Sequence, residues 1–175
     1  MAVSADRGGI VNLCKMLHEE NGLFPLSEPR LNIMLDRAFD KSGAIIGVIG
    51  DVGEPVASIY LGLNQVVYSD AWTLMEEWNF VHPNFRRTDY AKSLLGYAKK
   101  ASDEMKLPLL TGILSNQRTE AKIRLYERQL EKAGAYFVYN RSYAGPSAWD
   151  AASDPKKDEK EDHHSPARAS EENSK

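Results

Sequence analysis

Cysteine is nearly absent. Cys14 is the one thiol in 175 residues, so no disulfide can close within the chain, and such usage suits a reducing compartment. It reads as a small core residue of a first helix. Long apolar runs are missing too: nothing approaches the roughly 20 residues of a membrane-spanning helix, and residues 1–9 hold no apolar stretch of the signal-peptide kind. A cytoplasmic protein with no membrane partner is expected. Neither sign of charge dominates, since 22 Lys+Arg against 25 Asp+Glu gives a net charge of -3. A global basic footprint for nucleic acid is therefore excluded, while a local patch stays open. There are four histidines, two of them adjacent as His163-His164, and no spacing that would gather metal ligands. No metal site is expected.

The end of the chain lacks something else. From Ala151 onward there is no Val, Ile, Leu, Met, Phe, Tyr or Trp. Such a segment cannot bury enough apolar surface to offset its ordering entropy. The expected division is one folded domain over 1–145 and a disordered charged tail over 146–175.

What is present before that point alternates between two periods. Ile10, Leu13, Cys14 and Leu17 recur at helical spacing and stop at Asn21-Gly22. Ser27 is placed to cap a second helix, with Pro29 in its first turn and Leu31, Met34, Leu35, Ala38 and Phe39 on one side. Strands are expected over 44–49 and 56–63, joined by a turn containing Gly53, and over 73–81. Ala91, Leu94, Leu95, Ala98 and Met105 line one face of a helix over 90–105. A strand over 109–114, a helix over 120–133 capped by Gly134, and an aromatic strand over 135–143 complete the reading. The class is α/β: a mixed, mostly antiparallel central sheet with flanking helices, an antiparallel meander feeding a crossover.

The stretch 76–95 carries the chemistry. A strand ends at Val81, a short loop follows, and a helix begins near Thr88 or Asp89. Amides at a helix start lack intrahelical partners and attract phosphate, and Arg86 and Arg87 add formal positive charge. These residues resemble the GNAT acetyltransferase family, whose acyl-CoA loop reads Arg/Gln-x-x-Gly-x-Gly/Ala after a strand ending Val-x-Pro. Here Val81-His82-Pro83 precedes Arg86-Arg87-Thr88-Asp89-Tyr90-Ala91 and Leu94-Leu95. Asp89 stands where the family has Gly, as a helix cap, as an arginine's partner, or as a sign of altered acyl-CoA affinity. The resemblance spans 44–143 and is strongest over 81–95. Downstream, Leu125-Tyr126-Glu127-Arg128 and Gly134-Ala135-Tyr136-Phe137 are similar to a second family motif, with Thr119 at the spacing of its Asn and Asn116 three residues early. That stretch is also similar to phage-encoded members.

The resemblance implies an N-acyltransferase moving an acetyl group from acetyl-CoA, its co-substrate, directly to an amine acceptor. It implies a thioester held between two splayed strands, with the backbone of Phe80 and Val81 on one side and Arg86, Arg87, Thr88, Asp89, Tyr90 and Ala91 around the diphosphate. Tyr126 would be the general acid for the departing thiolate; its other reading is a tyrosine packed with Ile123 and Leu130. The base would be a Glu of the strand over 73–81. Glu76 and Glu77 are both available, and unbroken alternation puts Glu77 on one face with Asn79 and Val81, which favours Glu77. His82 reads as an ordinary loop residue. Trp72, Trp78 and Phe80 read as packing. Two alternatives stay open: a nucleobase-modifying DNA enzyme of the same fold, with Arg30, Arg37, Arg86, Arg87, Arg118, Arg124, Arg128 and Arg141 as phosphate contacts, and a non-catalytic binding module with a degenerate CoA site. A homodimer is also left open.

Overall fold

The computed structural model describes residues 1–115, 119–135 and 137. The expected strand over 135–143 and the tail over 146–175 lie outside the described residues, except Ala135 and Phe137, which are in no strand.

The order is α1 (Arg7–Asn21), α2 (Glu28–Phe39), β1 (Ala44–Asp51), β2 (Glu54–Gln65), β3 (Trp72–Val81), α3 (Tyr90–Met105), β4 (Leu109–Leu110) and α4 (Thr119–Glu127), with a 3-10 turn at Ser4–Asp6 before α1 and another at Pro83–Phe85. The sheet runs β1-β2-β3-β4; its first three strands are antiparallel, and β4 lies parallel to β3 through Leu74–Leu109 and Met75–Leu110. In place of a strand before α1 there is a single bond, from the amide of Ala2 to the carbonyl of Ile46 at 2.9 Å.

Side-chain alternation sorts the core into two layers. On one face Tyr60, Trp78 and Phe80 meet Ile10, Leu13 and Cys14 of α1 and Leu31 and Leu35 of α2. On the other, Ala57, Ile59, Leu61 and Leu74 meet Leu94, Ala98 and Ala101 of α3. The apolar periodicity of the helices is used as read except at Met105, which is exposed at the end of α3, and burial pushes the Cys14 thiol up to about 12, leaving it an inert packing group. Ser27 caps α2, its hydroxyl accepting from the Arg30 amide at 3.4 Å.

Three expectations are corrected. The strand after Pro108 pairs only at Leu109–Leu110 and not through residue 114. The helix expected over 120–133 ends at Glu127, where the Tyr126 carbonyl accepts from both Gln129 and Leu130 at 2.8 Å and the chain turns out of the helix; Gly134 caps nothing. Alternation along β3 is also broken. Tyr60 pairs with Trp78 but Leu61 pairs with Glu76, so Glu77 is an extra residue, a β-bulge.

The β1–β2 turn docks onto the start of α1. Gly53 takes φ 87° there, a conformation that strains any residue with a Cβ. A Cβ on Gly9 would sit 2.3 Å from the Pro55 ring, so α1 can approach this closely only without one. Asp6, 2% exposed, ties the junction together by accepting from the Val3 amide at 2.8 Å and the Gly53 amide at 2.7 Å. Asp6→Ala leaves those amides without their acceptor and is expected to cost about 1–3 kcal/mol, read as a lower urea midpoint at unchanged slope.

Candidate functional site

β3 and β4 are paired at Met75–Leu110 and nowhere beyond it, while β3 runs on to Val81. From Glu76 onward that edge of β3 has no strand partner among the described residues. The gap opens at the bulge, and the bulge decides which carboxylate faces it. Leu74 lies on the α3 side of the sheet; Trp78 and Phe80, of the same parity, lie on the α1 side. The inserted residue flips the register between them, so Glu76, not Glu77, joins Asn79 and Val81. Glu77 is exposed, and its Oε1 comes to 3.9 Å from where a Cβ on Gly62 would sit, on the Tyr60 side. The expectation that Glu77 shares a face with Asn79 and Val81 rested on unbroken alternation and is corrected: Glu76 shares that face.

Glu76 is 9% exposed and accepts a 2.6 Å hydrogen bond from the Tyr126 hydroxyl at its Oε1. Burial raises its carboxyl to about 7, against which the bond from Tyr126 pulls down. The Tyr126 phenol is pushed up, first by burial and then by the Glu76 charge and hydrogen bond, while the Asn79 amide pulls the other way. Near neutral pH the pair thus holds a phenol that keeps its proton and a carboxylate able to take one. Ile123, Tyr126 and Leu130 are all half-buried, and no residue of α4 is fully buried.

Asn79 extends the group toward α3: its Nδ2 donates to the carbonyl of Ala91, in the first turn, at 3.3 Å. Among the described residues two buried oxygens here have no hydrogen-bond partner, Glu76 Oε2 and Asn79 Oδ1. Buried acceptors left empty are costly.

The loop after β3 is built as the helix-start reading requires. The His82 amide continues the ladder to Val56 at 2.9 Å, and its Nδ1 accepts from the Asn84 amide at 3.2 Å, a structural role for His82. Thr88 closes the turn onto the Phe85 carbonyl through both its amide, at 3.2 Å, and its hydroxyl, at 2.6 Å. Asp89 occupies the cap position with φ -83° and ψ 13°, but its side chain caps nothing and it forms no ion pair among the described residues. Tyr90 stacks on Phe85 at 6.2 Å. Arg87 is exposed, Val81 half-buried and Phe80 buried. Arg86 is turned away from the helix start: it pairs with Glu20 of α1 and lies over the Phe80 ring, 5.8 Å from its centroid. Of the three aromatics read as packing, Trp78 stacks on Tyr60 at 4.8 Å and donates to Ser58 at 3.1 Å, whereas Trp72 is exposed.

Sequence reasoning missed the polar seat of α4. Ser115 Oγ donates to Asn21 Oδ1 at 2.5 Å, and Lys122 Nζ donates to Asn21 Oδ1 and Ser115 Oγ, each at 2.9 Å. No motif marks these positions, because their spacing of about a hundred residues is brought together only by the fold. Asn116 and Arg118 lie outside the described residues.

The fold is shared with known structures. Aminoglycoside 6'-N-acetyltransferase AAC(6')-Iy, solved with the bisubstrate analogue CoA-S-monomethyl-acetylneamine, superposes with a TM-score of 0.62 over 78% of this chain and 92% of its own, at 13% identity. An acetyltransferase of Trypanosoma brucei gives 0.57 over 77% and 92% at 18% identity. A ribosomal-protein-alanine N-acetyltransferase of Brucella melitensis biovar Abortus gives 0.56 over 77% and 92% at 15% identity. The chain has the GNAT fold. No family model and no curated protein matches its sequence. Within the GNAT fold seen here, no helix among the described residues is long and apolar enough to cross a membrane, and no cluster of His, Cys, Asp and Glu is arranged to hold a metal.

The raised Glu76 carboxyl has a measurable consequence apart from any activity. Its folded value of about 7 exceeds the ordinary 4.5, so the folded chain holds a proton that the unfolded chain has lost between those limits. Stability from this group is therefore full below about pH 4.5 and falls as pH rises to about 7. Glu76→Gln removes that component: the difference in unfolding free energy between parent and variant should slope between those pH values and be flat above, checked by urea unfolding across pH.

Proposed function

We propose that this protein is an acyl-CoA-dependent N-acetyltransferase in which Glu76 is the base and Tyr126 the acid. The observation that carries the reading is the 2.6 Å bond between these two side chains at the point where β3 and β4 part. The unpartnered edge of β3 along Phe80 and Val81, the helix start over Thr88, Asp89, Tyr90 and Ala91, and the two empty acceptors beside Tyr126 fit an extended thioester carrier. Acetyl-CoA as substrate would supply an activated acyl group and a thiol leaving group.

The protein's part is to move one proton around a closed path. Glu76, ionised near neutral pH, takes a proton from the incoming amine as its nitrogen bonds to the acyl carbon. Tyr126 gives its hydroxyl proton to the sulfur as the carbon–sulfur bond breaks. The proton on Glu76 then crosses the existing hydrogen bond to the phenolate, and both groups return to their starting state. The sum is amide plus thiol from thioester plus amine, with no residue changed. Local positioning of this kind is worth about 10²- to 10⁴-fold per acid or base.

Two structural neighbours named for aminoglycoside and ribosomal-protein-alanine acetylation frame the choice between a small-molecule and a protein acceptor. The DNA-modifying alternative loses Arg86 as a free phosphate contact, because Glu20 holds it.

Tyr126→Phe and Glu76→Gln should each lower acetyl transfer to a reactive amine panel by about 10²-fold, with acetyl-CoA affinity by calorimetry within about twofold of the parent, while Glu77→Gln stays near the parent rate. Parent turnover should rise with pH around a midpoint near 7, the value of the Glu76 carboxyl, and Glu76→Gln should flatten that limb. Retained turnover in Tyr126→Phe removes the acid role; no acetyl-CoA heat at millimolar ligand favours the binding-module reading instead. Asp89→Gly should tighten acetyl-CoA binding a fewfold by removing a carboxylate next to the diphosphate, read in the same titration.

A further inference from the structure

Arg86 is the first residue of the loop proposed to take the diphosphate, and it is already bound to an anion of the protein's own. Its partner Glu20 belongs to the last turn of α1, 66 residues away in sequence. Both side chains are largely withdrawn from water, 25% exposed for Arg86 and 22% for Glu20, unlike the three other ion pairs among the described residues. The guanidinium is further fixed over the Phe80 ring. A guanidinium held flat presents a fork of N–H donors that fits a carboxylate or a phosphate equally well. A group arranged to receive one oxyanion is therefore arranged to receive the other, and both cannot have it.

We propose that Glu20 is a specificity-determining residue of this loop: its carboxylate is an internal competitor for Arg86 that a diphosphate must displace. This rests on the acyl-CoA reading above. With Glu20 in place, the two positive charges of Arg86 and Arg87 are matched by the carboxylates of Glu20 and Asp89, so the resting loop offers a diphosphate no net charge. Binding then depends on how often Arg86 is released, and the apparent affinity falls by that fraction. A carrier without the diphosphate has no use for Arg86 and feels no competition.

The test uses the full chain and two probes, CoA and pantetheine, the latter keeping the thiol arm without diphosphate or nucleotide. Glu20→Gln should tighten CoA about five- to tenfold and leave pantetheine unchanged. Glu20→Asp, which pulls the carboxylate back by one methylene, should give a smaller gain in the same direction, and it carries the test should Glu20→Gln not fold by circular dichroism. In an Arg86→Gln background the Glu20→Gln gain should vanish. CoA binding that is unchanged or weaker in the Glu20 variants, or a gain that extends equally to pantetheine, overturns the competition while the parent's binding of CoA leaves the acyl-CoA reading standing. Absence of CoA binding in parent and variants alike overturns both.

Discussion

The candidate site is organised about one hydrogen bond, that from the Tyr126 hydroxyl to Glu76. It joins residues 50 apart in sequence, and it exists because three backbone features coincide. β4 stops pairing after Leu110, β3 inserts a residue at Glu77, and α4 enters beside the resulting gap. Remove the bulge and Glu76 turns to the α1 side, with the phenol left facing a sheet edge. Burial then does the chemical tuning. A carboxylate taken out of water favours its protonated form, and a phenol beside a carboxylate favours its neutral form, so the same desolvation that costs stability moves both groups toward their tasks.

α4 is an unusual carrier for a residue of this kind, having nine residues and none fully buried. So short a helix has little stability of its own and gains little from apolar packing. Its position comes from polar anchors at its two ends, Lys122 on Asn21 and Ser115 near one, Tyr126 on Glu76 near the other. The end of α1 consequently serves two parts of the site. Asn21 seats the helix that carries Tyr126, and Glu20 holds Arg86 of the loop, while the apolar stripe of the same helix is locked into the core through Ile10, Leu13 and Cys14. A rigid element buried along one side thus sets the spacing between Tyr126 and the loop that carries Arg86.

Much of the framework was legible from residue patterns, and the reasons are local. Ile10, Leu13 and Cys14 repeat at helical spacing because one stripe of α1 is buried; Ser27 caps where a cap is needed; the turn at Gly53 demands a positive φ. The strand end, turn and helix start around Val81-His82-Pro83 and Arg86 were legible because they are successive in the chain. What escaped is what long-range geometry decides. A β-bulge leaves no residue signature in Glu76-Glu77-Trp78, so period-two reasoning put Glu77 rather than Glu76 on the face of Asn79 and Val81. Gly134 reads as a helix cap, yet the turn at Gln129 and Leu130 ends α4 earlier. Arg86 reads as free positive charge because nothing near it in sequence is acidic except Asp89; its real partner arrives from α1.

Asp89 shows how a departure from a motif can be weighed once the backbone is known. Glycine is demanded at a position either for a positive φ or for want of a Cβ. At φ -83° Asp89 sits where any residue can sit, so the first demand does not exist here. Nor does its carboxylate consume the helix start, since it caps no amide; the Tyr90 amide is met by the Thr88 hydroxyl at 3.4 Å, and the amides after it in the first turn keep their capacity to bind an oxyanion. What is left is Coulomb repulsion from an exposed charge, and that is the one component that salt weakens, with a screening length of about 8 Å at physiological ionic strength. Amide hydrogen bonds to a phosphate are short and persist. Rising salt relieves the repulsion from Asp89 and weakens the attraction of Arg87 together, so the hold on a phosphate at this loop would come to rest on the amides of the helix start.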